Sequence, residues 1–193
     1  MPDVKEVFDA IDAKLKIARR GAAEMKNPST FQAGLWNAAL FGRSVTFTLQ
    51  NLRGKVDGFD AWYEKKQEEM RADTVMSYFV EARNMIEKSV AEPTWASASL
   101  NANIADLFKA AGPPPPGAKT LFVGDQFGGS GWQIQLPDGS TEKYYVDFPK
   151  GMVKTSVLLG PKAPKGGDAH YLVNEYLTKL EALTAEARAK FNH

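Results

Sequence analysis

The sequence predicts an α+β protein: a helical bundle over residues 1–92, a small antiparallel β-rich insert over 93–167, and a C-terminal helix over 168–193. Three observations carry that reading. Apolar residues recur at helical spacing along the first part of the chain, switch to strict alternation near Ala96, and return to helical spacing after Asp168. A chain of 193 residues makes one domain, or one domain carrying an insert. That length buries enough surface to fold without metal or disulfide staples.

Val4, Val7, Phe8, Ile11, Leu15 and Ala18 trace the stripe of a first amphipathic helix, which Asn27-Pro28-Ser29 ends. A second helix runs from Phe31 to Leu52. Trp36, Leu40, Phe41 and Phe47 widen its stripe until little polar face remains, which places it at the centre of the bundle or at a subunit interface. The turn cluster Gly54–Gly58 precedes a shorter helix carrying Phe59, Trp62, Tyr63, Lys66 and Met70. Asp73 is placed to cap the next helix, whose core stripe reads Val75, Phe79, Ala82, Ile86 and Val90.

Alternation then takes over. Ala96, Ala98, Leu100, Ala102 and Ile104 predict a strand, and Ala105–Ala111 one or two helical turns stopped by Gly112 and Pro113–Pro116. Leu121–Val123 leads into a glycine-rich loop. Beyond it, Trp132, Ile134 and Leu136 should share one face of a hairpin with Tyr144, Val146 and Phe148, turned by Pro137-Asp138-Gly139-Ser140. Met152–Leu159 adds a strand and Gly160–Gly167 a loop. Asp168 then caps a long helix with Leu172, Val173, Tyr176, Leu177, Leu180, Leu183 and Phe191 on its apolar side, packed on the bundle or the sheet.

Composition narrows the chemistry. The chain has no cysteine, which excludes thiolate catalysis, zinc ribbons, iron–sulfur clusters and disulfides. The histidines are two, His170 and His193, too few for a histidine metal site, and no cofactor is implied. His170 reads as a surface or capping residue. The net charge of +1 leaves no global electrostatic footprint for nucleic acid. Lys150, Lys154, Lys162 and Lys165, with no acid among them, read as a solvated edge. A charged amino-terminal stretch and the lack of a long apolar run point to the cytoplasm and away from the membrane.

Several residues invite a chemical reading. The loop Gly124–Gly131 lacks the lysine and the following helix of a phosphate-binding loop, so its glycines serve a tight connection between strands. Glu68-Glu69, beside Lys65 and Lys66, form a solvated face. Arg43 lies among Trp36, Ala39, Leu40 and Phe47, and a guanidinium there needs an acceptor. Either an ion pair with a neighbouring helix or a bound ligand would supply it.

Leu35-Trp36-Asn37-Ala38-Ala39-Leu40, Arg43-Ser44-Val45-Thr46-Phe47, Trp62-Tyr63-Glu64 and Phe79-Val80-Glu81-Ala82-Arg83-Asn84 occur in that order along about a third of the chain. In that order they resemble the HEPN superfamily of helical RNA-linked domains. The resemblance implies a symmetric dimer, RNA or a nucleotide as partner, and an arginine–polar–histidine motif at which Arg83 and Asn84 match. The histidine position is taken by Lys88, and neither Ser89 nor Val90 can replace it. An unperturbed lysine, with a pKa near ~10.4, is a poor base at neutral pH. The structural alternative is an i,i+4 pair of Arg83 with Glu87.

The function expected is a HEPN-like binding or assembly module that binds RNA or a nucleotide and lacks nuclease activity, with Arg43, Arg83 and Asn84 as ligand contacts. One alternative is a metal-independent endoribonuclease using Arg83, Asn84 and Lys88 or His170. Another is a homodimeric structural protein that presents the β insert to a protein partner.

Overall fold

The computed structural model describes residues 3–88, 94–160 and 162–191. Helices α1 (Val4–Glu24), α2 (Phe31–Leu49), α3 (Phe59–Ala72) and α4 (Thr74–Lys88) come first. Strand β1 (Thr94–Leu100), helix α5 (Ile104–Ala111) and strands β2 (Ala118–Val123), β3 (Ser130–Gln135), β4 (Thr141–Tyr145) and β5 (Val153–Leu159) follow, and α6 (Ala169–Phe191) closes the chain. The class is α+β, as the periodicities indicate.

Local chemistry accounts for the helix boundaries. Asp3 and Glu6 form a reciprocal capping box, each carboxylate accepting from the other's amide at 2.7 Å. Asp73 caps α4 as predicted, accepting from the amides of Val75 at 2.9 Å and Met76 at 3.0 Å. Asp168 accepts from the Tyr171 amide at 2.8 Å at the start of α6. The second helix is shorter than its apolar stripe, for its last turn, Gln50–Leu52, tightens to a 3-10 helix. Val90, Ser89 and His193 lie outside the described residues.

Two glycines set the closest approach in the bundle. A Cβ at Gly21 would sit 2.5 Å from the Gly34 carbonyl oxygen, and one at Gly34 equally close to that of Gly21. The backbones of α1 and α2 therefore touch. α2 is the central helix, packed on α1, α4 and α6, and it buries Phe31, Leu35, Ala38, Ala39, Val45 and Leu49. Most of its apolar surplus is absorbed inside the chain, with Trp36 and Phe47 left exposed.

α6 binds the bundle through polar ties as well as its apolar stripe. Arg19 donates two hydrogen bonds to Glu181, at 2.6 and 2.5 Å, and Arg188 pairs with Asp12 at 2.6 Å. Glu186 accepts from Trp62 Nε1 and pairs with Lys66, each at 2.8 Å, and Lys179 pairs with Asp73. α6 also packs on β5, whose Val157 and Leu159 join the bundle core. It thus packs against both bundle and sheet.

The strands form two antiparallel sheets. β1 pairs with β5, setting Ala96 against Val157 and Ala98 against Thr155; β2, β3 and β4 form the second sheet in that order. β1 stops at Leu100, short of the expected end, because Asn103 leaves the strand to cap α5 by accepting from the Asp106 amide at 2.9 Å. In the hairpin Trp132 lies opposite Tyr144, so both point to one face as expected. Leu136, Val146 and Phe148 fall beyond the strand ends. Trp132 is buried, with Phe108 of α5 packed on it at 5.7 Å between ring centroids, while Tyr144 is 54% exposed. Lys150, Lys154 and Lys162 are exposed, as a solvated edge requires. Among the described residues no helix is long and apolar enough to cross a membrane.

Candidate functional site

Arg43 defines the site. It sits about two-thirds of the way along α2, on a turn that shares a cleft with α3, α4 and α6, and is half-buried. The expected ion pair with a neighbouring helix is absent, since no carboxylate pairs with Arg43 among the described residues. Instead Nη1 donates to Thr46 Oγ1 at 2.6 Å, and the guanidinium lies over the Phe47 ring at 4.3 Å from its centroid. Both partners are on its own helix, one turn on, so local contacts substitute for the cross-helix pair. A guanidinium has five N–H donors, and these contacts leave most of them unused.

A cleft of about 260 Å³ opens beside it. α2 contributes Arg43 and Thr46, α3 contributes Tyr63, Gln67, Met70 and Arg71, α4 contributes Met76, Ser77, Val80 and Glu81, and α6 contributes Tyr176. Gly42 makes room for Tyr176: a Cβ there would lie 2.5 Å from Tyr176 Cε1. Phe79 stacks on the Tyr176 ring at 4.3 Å and fixes it. Tyr176 is 2% exposed, lines the cleft, and has no hydrogen-bond partner for its hydroxyl among the described residues. The Tyr63 hydroxyl donates to the Thr46 carbonyl at 3.0 Å.

Electrostatics keep these groups in donor form. Burial pushes the Tyr63 and Tyr176 phenols up, and the nearby Arg43 cation opposes the shift without cancelling it. Both therefore stay protonated at neutral pH. Arg71 and Glu81 are exposed and have no ion-pair partner among the described residues, so the lining carries two positive charges against one negative. The arrangement can bind an anion and donate hydrogen bonds to it. Among the described residues no three His, Cys, Asp or Glu side chains gather to hold a metal ion.

Arg83 and Asn84 are brought together, but away from Arg43. Arg83 pairs with Glu87 at 2.8 Å and donates to Asn84 Oδ1 at 3.1 Å, which is the structural alternative the spacing allowed. Lys88 is exposed in the last turn of α4. None of the three lines the Arg43 cleft. His170, read as a surface or capping residue, packs edge-on against Phe31, ring centroids 5.6 Å apart, and burial lowers its pKa, while Asp168 caps the helix as expected. The glycine loop joins β2 to β3 as predicted, with Gly124 and Gly128 at φ of 70° and 79°.

Sequence reading missed Tyr176, Tyr63, Gln67 and Arg71 as site residues. The tyrosines lie on core stripes, and nothing local distinguishes a phenol that ends in a cleft from one that ends in the core. The one available signal was Gly42, a small residue next to an arginine on an otherwise bulky helix.

Comparison with known families overturns the HEPN resemblance. The profile that matches, over residues 10–115, is that of the bacteriophage lambda protein ea47. It runs from α1 through the four bundle helices into β1 and α5. The pieces that suggested HEPN are core aromatics and an Arg–Asn pair in a helical context, which any bundle of this kind can carry. No curated protein and no solved structure matches the chain. The profile covers more than half of the sequence, and the protein belongs to the bacteriophage lambda protein ea47 family.

Proposed function

We propose that the chain is a binding module whose helical body holds a small ligand in the cleft at Arg43. The observation that supports this is a half-buried guanidinium lining a cleft with a buried tyrosine, the one without a carboxylate partner and the other without a hydrogen-bond partner for its hydroxyl among the described residues. Polar groups that line a cleft and have no partner among the described residues are free to donate to a bound ligand. The RNA, nucleotide and endoribonuclease expectations came from the resemblance that the family match replaces. The test is protein-observed NMR against a panel of small anionic, neutral and cationic fragments. Saturable shifts clustered on Thr46, Ser77 and Tyr176 support the reading; shifts scattered over the surface remove it. Gly42→Val, which drives a side chain into the Tyr176 ring, should abolish the clustered shifts.

A second reading is assembly. Trp36 and Phe47, 38% and 50% exposed, lie with Leu40 on the outer stripe of α2, whose one charged residue is Arg43. The same stripe of a second copy is its proposed partner, giving a symmetric dimer. Light scattering at micromolar concentration checks this, and a monomer mass would end it.

A further inference from the structure

The chemistry of the cleft narrows the ligand beyond the binding reading on which this inference rests. The lining has one half-buried cation, Arg43, and one exposed cation, Arg71, set against Glu81. A monoanion neutralises that balance, whereas a second negative charge would meet Glu81. The volume of about 260 Å³ lies near the low end of the ~300–1,000 Å³ range of ligand pockets, which suits a small ligand. Met70, Met76 and Val80 supply apolar surface opposite the polar groups. A planar carboxylate matches the fork of a guanidinium through two parallel hydrogen bonds.

We infer that the cleft binds a small monocarboxylate with a compact apolar tail, its carboxylate held by Arg43 and the Tyr176 hydroxyl and its tail against Met70, Met76 and Val80. The Tyr176 hydroxyl becomes a donor to the carboxylate, which gives the buried phenol a partner that it lacks among the described residues. Thr46 Oγ1 holds one edge of Arg43 and leaves the other for the ligand.

The probe is benzoate, titrated into the full chain and followed by amide shifts at Thr46, Ser77 and Tyr176, beside benzyl alcohol and phenyl phosphate. Benzoate should bind most tightly of the three. Arg43→Ala should weaken it by roughly 10- to 100-fold, the range for losing a charge-assisted hydrogen bond. Tyr176→Phe keeps the ring packing and removes only an unpartnered hydroxyl, so it should weaken benzoate by about 5-fold or more without lowering the melting temperature. That variant keeps the test decisive even if Arg43→Ala destabilises α2. Tighter binding of benzyl alcohol or phenyl phosphate in the cleft would overturn the carboxylate assignment and leave the binding reading standing. No cleft shift with any probe at millimolar concentration would overturn both. Benzoate binding unchanged in both variants would overturn the assigned contacts.

Discussion

The helical body and the β unit that interrupts it solve folding in different ways. In the helical body, α1, α2, α3, α4 and α6 share one continuous apolar core, and the polar ties of α6 lie around its rim. The β unit buries little. Trp95, Leu100, Ile104, Phe108 and Tyr144 are exposed there, Ile104 by 73%. What organises it is a carboxylate. Asp125, whose side chain is 6% exposed, accepts from the amides of Phe127 and Gly129 at 3.0 and 2.9 Å. It also accepts from Lys143 and the Tyr145 hydroxyl, each at 2.7 Å. One residue thus ties the β2–β3 loop to β4. A region with a large core tolerates the loss of any one polar contact, while a region built on one caged charge does not.

The largest effect should come from the helical body's tightest point. Gly34→Leu places a side chain where its Cβ would stand 2.5 Å from the Gly21 carbonyl oxygen, and α1 cannot retreat without opening the core. Overpacking at backbone contact costs about 3 kcal/mol or more, a substantial part of the roughly 5–15 kcal/mol by which a domain is stable. Thermal unfolding followed by far-ultraviolet circular dichroism should show the loss of the whole helical signal. A variant that melts within a few degrees of wild type would mean the helices do not meet as described.

Breaking the β unit should leave the helices standing. Asp125→Asn removes the charge that its four donors surround, at a cost of about 2 kcal/mol. Amide exchange should accelerate at Phe127, Gly129 and across β4 while the helical signal is unchanged. The same carboxylate sets an acid limit. Burial alone would raise its pKa, but Lys143, Tyr145 and the two amides outweigh burial and hold it below the ordinary 3.8. A carboxylate with a depressed folded value contributes stability that is present above 3.8 and is lost as pH falls through the lower folded value. Asp73, held low against its burial by Lys179 and the capped amides, follows the same sign. Below pH ~4 the wild-type β unit should therefore lose exchange protection, and Asp125→Asn should flatten that dependence. Unchanged exchange in Asp125→Asn would show that the cage does not hold the unit together.

The two regions were also unequally legible. Helical stripes and caps came through in the sequence because period 3.6 is a strong signal and because Asp73 and Asp168 act on amides within three residues of themselves. The Trp132–Tyr144 register was legible for the same local reason, a short turn between alternating runs. The Asp125 cage was not, since its Lys143 and Tyr145 partners are 18 and 20 residues away and a lone aspartate in a glycine loop announces nothing. Arg43 was recognised as chemically out of place, but among the described residues the ion pair expected for it does not form, and Thr46 and Phe47 on its own helix engage it instead. The tyrosine beside it looked like core because it is 2% exposed and its ring stacks on Phe79, although it also lines the cleft.

Arg83 should give the smallest effect, and its size separates two meanings of the same residue. Its side chain is 31% exposed, and its partner Glu87, 41% exposed, is four residues on along the same helix. Exposed i,i+4 pairs contribute only about 0.3–0.5 kcal/mol, because solvent screens the attraction and two long side chains must be ordered to make it. Asn84 adds a neutral hydrogen bond at 3.1 Å that water can replace. Arg83→Ala should therefore lower stability by no more than about 0.5 kcal/mol and leave benzoate binding at the Arg43 cleft within error of wild type. Denaturant unfolding and the amide titration measure the two quantities on one sample. A loss of ligand affinity in Arg83→Ala would mean that α4 carries part of the binding surface beyond the cleft, and the division of labour between Arg43 and Arg83 would have to be redrawn.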